Sequence, residues 1–155
     1  MIMLAMLTLT ASLASCAAVV SPRTIAAVVS VESNGWPLTI HDNTIDRSYT
    51  FTDRMTADTT ARALLAAGHN VDLGLAQINS SNLARLGLTP LDVLDPCTNL
   101  RAGAAILHSA YTAAARRFGA GQGALRHALS AYNSGSMFGA PQYVRRVVAA
   151  AGFDS

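Results

Sequence analysis

The stretch SPRTIAAVVSVES, residues 21–33, joins a helix start, an apolar stripe and the one glutamate in the chain. Its opening Ser-Pro pair is favourable at the N-cap and first turn of a helix. Ile25, Val28 and Val29 follow at helical spacing, and Glu32 continues the same stripe. The stretch therefore predicts a short helix with Glu32 on its buried side, close to its C-terminus.

A carboxyl group in this position has two reasons to hold its proton. Burial disfavours the charged form, and the negative end of the helix dipole disfavours it further. A carboxyl that is partly protonated near neutral pH is what general acid catalysis requires. The placement favours Glu32 as a catalytic acid over the common alternative of a surface glutamate at a helix end.

The rest of the chain is predicted to be short helices separated by clear stops. Apolar spacing, N-cap residues and terminal glycines predict helices over roughly 4–18, 22–33, 53–67, 79–86, 95–118, 125–132 and 142–150, with a single turn at 89–92. Residues 36–52 are polar and β-branched, which indicates a loop with at most a small β-hairpin. The fold class is mainly α, in one domain over 1–155.

The composition excludes several classes of function. With 155 residues, 51% of them hydrophobic and 13% charged, the chain suits one domain with a real core. All 11 basic residues are arginines, and the pairs Arg116-Arg117 and Arg145-Arg146 lack interleaved aromatics, which argues against nucleic-acid binding. Without a C-x-x-C or a histidine cluster at zinc spacing, we expect no metal and no cofactor.

The N-terminus and the two cysteines leave alternatives open. Residues 1–13 are apolar enough for the core of a signal peptide, but no Lys or Arg precedes them. Residues 13–16, LASC, look like a lipoprotein cleavage box, yet the helix signal at Ser21 leaves almost no spacer after Cys16. We favour a first domain helix over either leader. Cys16 and Cys97 are two buried thiols or one disulfide, and export would favour the disulfide.

Three further segments carry polar groups in short patterns: IHDNT at 40–44, GLAQIN at 74–79 and SAYNSG at 130–135. Gln77 and Asn79 are amides that can bond to sugar hydroxyl and acetamido groups without adding charge. Each segment also has an ordinary explanation, as a solvated loop, a polar loop that caps a helix, or a helix end with a core tyrosine.

Taken in order, these segments are more specific. An E-S pair, then G-L-x-Q-I-N about 40 residues later, then A-Y-N-x-G about 55 further on resembles the lytic transglycosylases of the soluble, goose-lysozyme-like superfamily. The stretches P-L-x-I-H-D-N, A-A-G-H-x-V-D-L-G-L-x-Q-I-N, D-P-C-x-N-L-x-A-G-A and L-S-A-Y-N-x-G resemble the branch attached to type IV secretion and conjugation systems. The resemblance covers roughly residues 13–148.

The resemblance implies a lysozyme-like domain with a groove that binds peptidoglycan glycan strands in the periplasm, with secretion proteins as further partners. It implies cleavage of the β-1,4 bond between N-acetylmuramic acid and N-acetylglucosamine, leaving a 1,6-anhydromuramyl end. Glu32 matches the catalytic acid/base, Tyr132 the phenol that orients it, and Cys16 and Cys97 a cysteine pair of the branch. The substrate-binding positions that the resemblance implies are Ser33, Gln77, Asn79, Tyr132 and Asn133. Many members have methionine where this chain has Ala76, so we expect a looser wall under the sugar.

The number of suitable carboxylates distinguishes a lytic transglycosylase from the alternative functions. A glycoside hydrolase of the usual kind needs two carboxyl groups. The chain has one in an apolar helical frame, Glu32, which suffices if the muramyl C6 hydroxyl is the nucleophile. A hydrolase on the same fold would need Asp42, Asp46 or Asp72 as its base. A third alternative is a non-catalytic wall-binding module of a secretion machine.

Overall fold

The computed structural model describes residues 14–152. The apolar segment 1–13 and most of the helix predicted over 4–18 lie outside the described residues. The described part contains seven α-helices, which are α1 Pro22–Ser33, α2 Arg54–Ala66, α3 Leu83–Leu86, α4 Pro90–Val93, α5 Pro96–Phe118, α6 Gln122–Ser134 and α7 Pro141–Ala150. Its strands are β1 Thr39–Asp42, β2 Arg47–Thr50, β3 Val71–Leu73 and β4 Ile78–Asn79. The mainly α class is confirmed.

The β part is larger than the predicted hairpin. The four strands form one antiparallel sheet in the order β2-β1-β3-β4. The hairpin β1-β2 falls in the predicted segment, but β3 and β4 were expected to be loop and helix. Strands of three and two residues are too short to show an alternating pattern. Gly74 and Gln77, both at positive φ, turn the chain between them.

The predicted helix starts agree with the capping contacts. The Asp53 side chain accepts from the Thr56 N–H at the start of α2, and Asp95 accepts from Thr98 at the start of α5. Thr89 opens α4 with a reciprocal capping box. These local contacts satisfy N–H groups that have no partner within the helix, which is why the starts could be predicted from sequence alone.

Within the described part of the chain, the core has three apolar clusters, and the two larger ones lie on a helical side and a sheet side. Val28 of α1 packs in one cluster with Leu107 of α5, Leu129 of α6 and Val147 of α7. On the other side, the sheet packs against α2 and α4 through an apolar cluster of Ile40, Ala57, Ala61, Leu73 and Val93. The long helix α5 contributes residues to both clusters. Glu32, at the end of α1, therefore lies near the junction of the two sides.

A disulfide joins Cys16 to Cys97, whose Cα atoms are 5.3 Å apart. It ties the 3-10 turn Ala14–Ala17 to the first turn of α5. The structure thus has the bridge rather than two separate thiols. Among the helices of residues 14–152, none combines the length and apolar character needed to cross a membrane.

Asn99 on α5 fixes the turn that carries Gln77. This amide is 1% exposed and donates to the carbonyls of Leu73 and Val93, while its Oδ1 accepts from the Ala76 N–H at 2.8 Å. A Cβ at Gly74 would lie 2.2 Å from Asn99 Nδ2, so this position requires glycine. One buried side chain therefore joins β3, α4 and the turn after β3.

We predict that Asn99→Ala lowers the free energy of unfolding by about 2–4 kcal/mol, because three buried backbone groups lose their partner. Urea denaturation measures the change. The matched control is Gln122→Ala, which removes an exposed amide at the start of α6 and should stay within about 0.5 kcal/mol of the unmutated protein. Equal stabilities of the two variants would contradict the role of Asn99.

Candidate active site

Glu32 projects from the last turn of α1 into a groove between the sheet and the C-terminal end of α6. The helix is capped by Asn34, which adopts the left-handed conformation at φ 51° and donates its N–H to the Ser30 carbonyl. The groove has a volume of about 540 Å³. Its walls are mainly polar, and they consist of Glu32, Asn43, Asn70, Asp72, Gln77, Ile78, Asn79, Ser81, Asn82, Ile106 and Ala131–Gly135. A groove of this kind suits an uncharged polar chain.

The Glu32 carboxyl is held by the phenol of Tyr143. The Tyr143 hydroxyl donates to Glu32 Oε1 at 2.6 Å, and the tyrosine is 3% exposed on α7. Burial raises the pKa of Tyr143, so the phenol keeps its proton and acts as a donor. The contact joins the first described α-helix to the last and fixes one carboxyl oxygen, leaving Oε2 as the oxygen for a ligand.

The environment of Glu32 favours its protonated form. The pKa of Glu32 is raised from 4.5 to about 7, chiefly by burial. The Tyr143 hydrogen bond works in the opposite direction. The negative charge of Asp72 adds to the increase, and the positive charge of Arg146 opposes it. Glu32 can thus give and take a proton near neutral pH.

The resemblance assigns the orientation of Glu32 to Tyr132, but in this structure Tyr132 makes a different hydrogen bond. Its hydroxyl donates to the Ala76 carbonyl at 2.6 Å and not to Glu32. Tyr132 lies in the last turn of α6 beside the turn after β3, so its hydroxyl reaches a carbonyl of that turn. It lines the groove next to Glu32, while the phenol that hydrogen-bonds the carboxyl is that of Tyr143.

Tyr143 was not among the residues predicted from the sequence, although the sequence contains a signal for it. Tyr143, Val144 and Val147 form the buried stripe of α7. A tyrosine on such a stripe needs a partner for its hydroxyl, because a buried phenol without one is costly. A search for that partner among the polar residues could have led to Glu32.

Four side chains on the sheet side of the groove form a continuous hydrogen-bonded surface, the amide ledge, consisting of Asn43, Asn70, Asp72 and Asn79. Asn43 and Asn79 each donate to one oxygen of Asp72, at 2.9 and 2.7 Å. Asn70 and Asn79 exchange two further bonds, at 3.1 and 2.7 Å. The sequence indicated Asn79, but not that Asn43 and Asn70 would join it across the strands.

The candidate aspartates are separated by the fold. Asp42 is fully buried and contacts His69 Nδ1 at 2.6 Å. Asp46 lies on the β1–β2 turn with its side chain 95% exposed. Among these three, only Asp72 lines the groove.

The other predicted residues divide between the groove and the scaffold. Gln77 and Asn133 line the groove, and the Gln77 Nε2 donates to the Gly74 carbonyl at 2.9 Å. Ser33 is not among the lining residues, and its hydroxyl donates back to Val29 within α1.

The expectation of a loose wall at Ala76 is wrong. Ala76 is completely buried and does not line the groove. A Cβ added at Gly103 of α5 would lie 2.8 Å from the Ala76 Cβ, so the helix already occupies the space next to it.

Among residues 14–152, no group of three or more His, Cys, Asp or Glu side chains could hold a metal ion.

The chain matches the Transglycosylase SLT domain family over residues 10–144. It belongs to this family. It is 44% identical over 138 residues to the protein virB1 of Rhizobium radiobacter, which covers 88% of this chain and 57% of that protein. It is 40% identical over 146 residues to the type IV secretion system protein virB1 of Brucella abortus biovar 1, covering 88% and 60%.

The chain thus spans less than two thirds of the length of these relatives. No solved structure matches the chain. Membership in the family, together with the helical structure, confirms the predicted lysozyme-like class and the resemblance to the type IV secretion branch.

The raised pKa of Glu32 gives a prediction about stability. Its folded value of about 7 exceeds the unfolded value of 4.5, so the folded state binds more protons between these limits and stability falls as pH rises through them. The free energy of unfolding of Glu32→Gln, taken relative to that of the unmutated protein, should therefore rise by about 1–3 kcal/mol from about pH 5 to about pH 8. The reason is that the glutamine has no proton to lose.

Urea denaturation at the two pH values measures this change. Asp46→Asn, which removes one exposed carboxylate at the β1–β2 turn, is the control for the loss of a negative charge. If Glu32→Gln and the unmutated protein keep a constant difference in stability across the range, the carboxyl does not titrate as described.

Proposed function

We propose that this protein is a peptidoglycan lytic transglycosylase. The observation that carries the proposal is the Glu32 carboxyl, which has a pKa of about 7, is fixed by Tyr143 and faces a groove lined with amides. Amide and hydroxyl groups suit the hydroxyl and acetamido groups of N-acetylmuramic acid and N-acetylglucosamine. Membership in the Transglycosylase SLT domain family supports this substrate class.

The reaction needs one group that first donates and then accepts a proton. Glu32 gives its proton to the glycosidic oxygen as the bond from muramyl C1 breaks, with the acetamido group assisting at C1. The resulting carboxylate takes the proton of the muramyl C6 hydroxyl while the hydroxyl oxygen forms a bond to C1. The products are a free 4-hydroxyl on N-acetylglucosamine and a 1,6-anhydromuramyl end, with no water consumed.

The state of Asp72 supports this route over hydrolysis. A hydrolase needs a second carboxylate that activates water or attacks the sugar. Asp72 is the one candidate that reaches the groove, and both of its oxygens already accept hydrogen bonds from Asn43 and Asn79. We propose that Asp72 orders the amide ledge. Its negative charge also raises the pKa of Glu32 and so favours the protonated form.

We propose that the cleavage opens the wall locally for a secretion apparatus. The relatives named virB1, one of them a type IV secretion system protein, support this context. The substrate lies in the cell envelope, so the protein would act in the periplasm, with components of the secretion system as partners.

We predict that Glu32→Gln abolishes cleavage of purified sacculi while the groove still binds them, because the amide cannot transfer the proton. Mass spectrometry of the digest identifies the products, and anhydro ends are lighter than hydrated ends by one water. Asp46→Asn is the control and should digest normally. Hydrated ends that depend on Glu32 would establish a hydrolase, and binding without any product would establish a wall-binding module.

We predict that Tyr143→Phe lowers kcat roughly tenfold and shifts the upper limb of the rate–pH profile to higher pH. The shift follows because the Tyr143 hydrogen bond holds the pKa of Glu32 down. Tyr132→Phe is the matched variant. This variant removes the hydrogen bond to the Ala76 carbonyl and loosens the turn that carries Gln77, so it should raise KM. The upper limb of the rate–pH profile should stay at the same pH. A larger shift of the limb in Tyr132→Phe would reverse the assignment of the two phenols.

A further inference from the structure

Charge is unevenly distributed along the chain. Residues 96–152, which include α5, α6 and α7, contain six arginines and no aspartate or glutamate. Residues 14–95 contain five arginines against eight carboxylates. Such an asymmetry points to a partner of opposite charge. The surface formed by α5, α6 and α7 is therefore the place to look for an acidic partner.

An exposed cluster of aromatic rings lies on this basic side. His127 of α6 stacks on Phe118 with ring centroids 4.2 Å apart, and Phe138 meets His127 edge-on at 5.0 Å. Phe118 is 41% exposed and Phe138 is 61% exposed. The Arg117 guanidinium lies 5.1 and 5.7 Å from the two phenylalanine rings. These rings are large apolar groups that the fold does not bury.

A second groove adjoins this cluster, between α6 and α7. It has a volume of about 330 Å³ and shares no lining residue with the groove that contains Glu32. Val144, Met137 and Phe138 give it apolar walls, and Arg126 and Arg145, both exposed, line it as well. We call it the α6–α7 groove. It combines an apolar interior with two cations that have no acidic neighbour along α5–α7.

The wall of the α6–α7 groove is held in place before anything binds. The Ser130 hydroxyl donates to the Ser136 carbonyl at 2.8 Å and accepts from the Ala140 N–H at 3.0 Å. His127 Nδ1 lies 2.9 Å from the Met137 carbonyl. These bonds fix the loop between α6 and α7, so a ligand would lose little free energy in ordering it.

We propose that the α6–α7 groove docks an acidic protein segment that carries one apolar side chain. The apolar side chain fills the groove against Val144 and Phe138, and flanking carboxylates pair with Arg126 and Arg145. A concave groove lined by two arginines fits a chain better than it fits the surface of a bilayer. This docking is independent of wall cleavage, since the two grooves share no residue.

The first test uses a labelled short peptide with one leucine flanked by aspartates and glutamates. Fluorescence anisotropy measures its binding to the full chain carrying Glu32→Gln, so that the result does not depend on catalysis. Replacing the leucine of the probe by alanine should weaken binding roughly tenfold, because less apolar surface is buried. Added salt should weaken it further. Equal affinity of the two probes, or no binding, would overturn the proposal.

The second test changes the protein. The double variant Arg126→Glu, Arg145→Glu should weaken binding of the leucine probe by about tenfold or more. The control Arg47→Glu, Arg101→Glu has the same net charge with both changes outside the groove, and it should bind normally. Phe138→Ala, at an exposed ring that can change without loss of the fold, should also weaken binding. Equal loss in the control would reduce the effect to net charge and overturn the site.

Two other occupants are separated by the same double variant. If vesicles of anionic phospholipid bind in place of the peptide, and lose binding with Arg126→Glu, Arg145→Glu, the surface is a membrane contact and the proposal fails. If sacculi alone show that dependence, the groove binds the wall and the proposal fails as well. Digestion of sacculi by the double variant with Glu32 intact should be unchanged, which separates this test from that of the proposed function.

Discussion

The contact between Glu32 and Tyr143 is the constraint on which the candidate site depends. It joins the end of α1 to α7, two helices that are distant in the chain and share one apolar cluster. Burial destabilises a carboxyl unless it is paired or protonated. Here Glu32 has a hydrogen bond from a phenol and a raised pKa that favours its protonated form. The helices that bury Glu32 thus also set its chemistry.

The helical part of the fold was largely predictable because its signals are local. Asp53, Thr89 and Asp95 cap their helices through contacts three residues away, and such contacts are visible in sequence. The sheet was not predictable to the same extent. Strands β3 and β4 have three and two residues, and they exist because β1 and the Asn99 amide hold them.

The candidate site was predictable only in part, in some of the residues that line the groove and less so in their geometry. Short motifs indicated Glu32, Gln77, Asn79 and Tyr132, because each lies where a helix or strand ends beside the groove. Which phenol reaches the carboxyl depends on how α6 and α7 pack, and sequence spacing does not contain that information. The amide ledge likewise arises from strand pairing, which places Asp72 opposite Asn79.

The disulfide has a consequence for where the chain can fold. The bridge from Cys16 to Cys97 holds the segment before α1 against α5, and a bridge of this kind contributes about 2–4 kcal/mol. Thiols stay reduced in the cytosol and pair in oxidising compartments. The bridge therefore adds its stability only in an oxidising compartment, and in a reducing one the chain would be more readily unfolded and degraded.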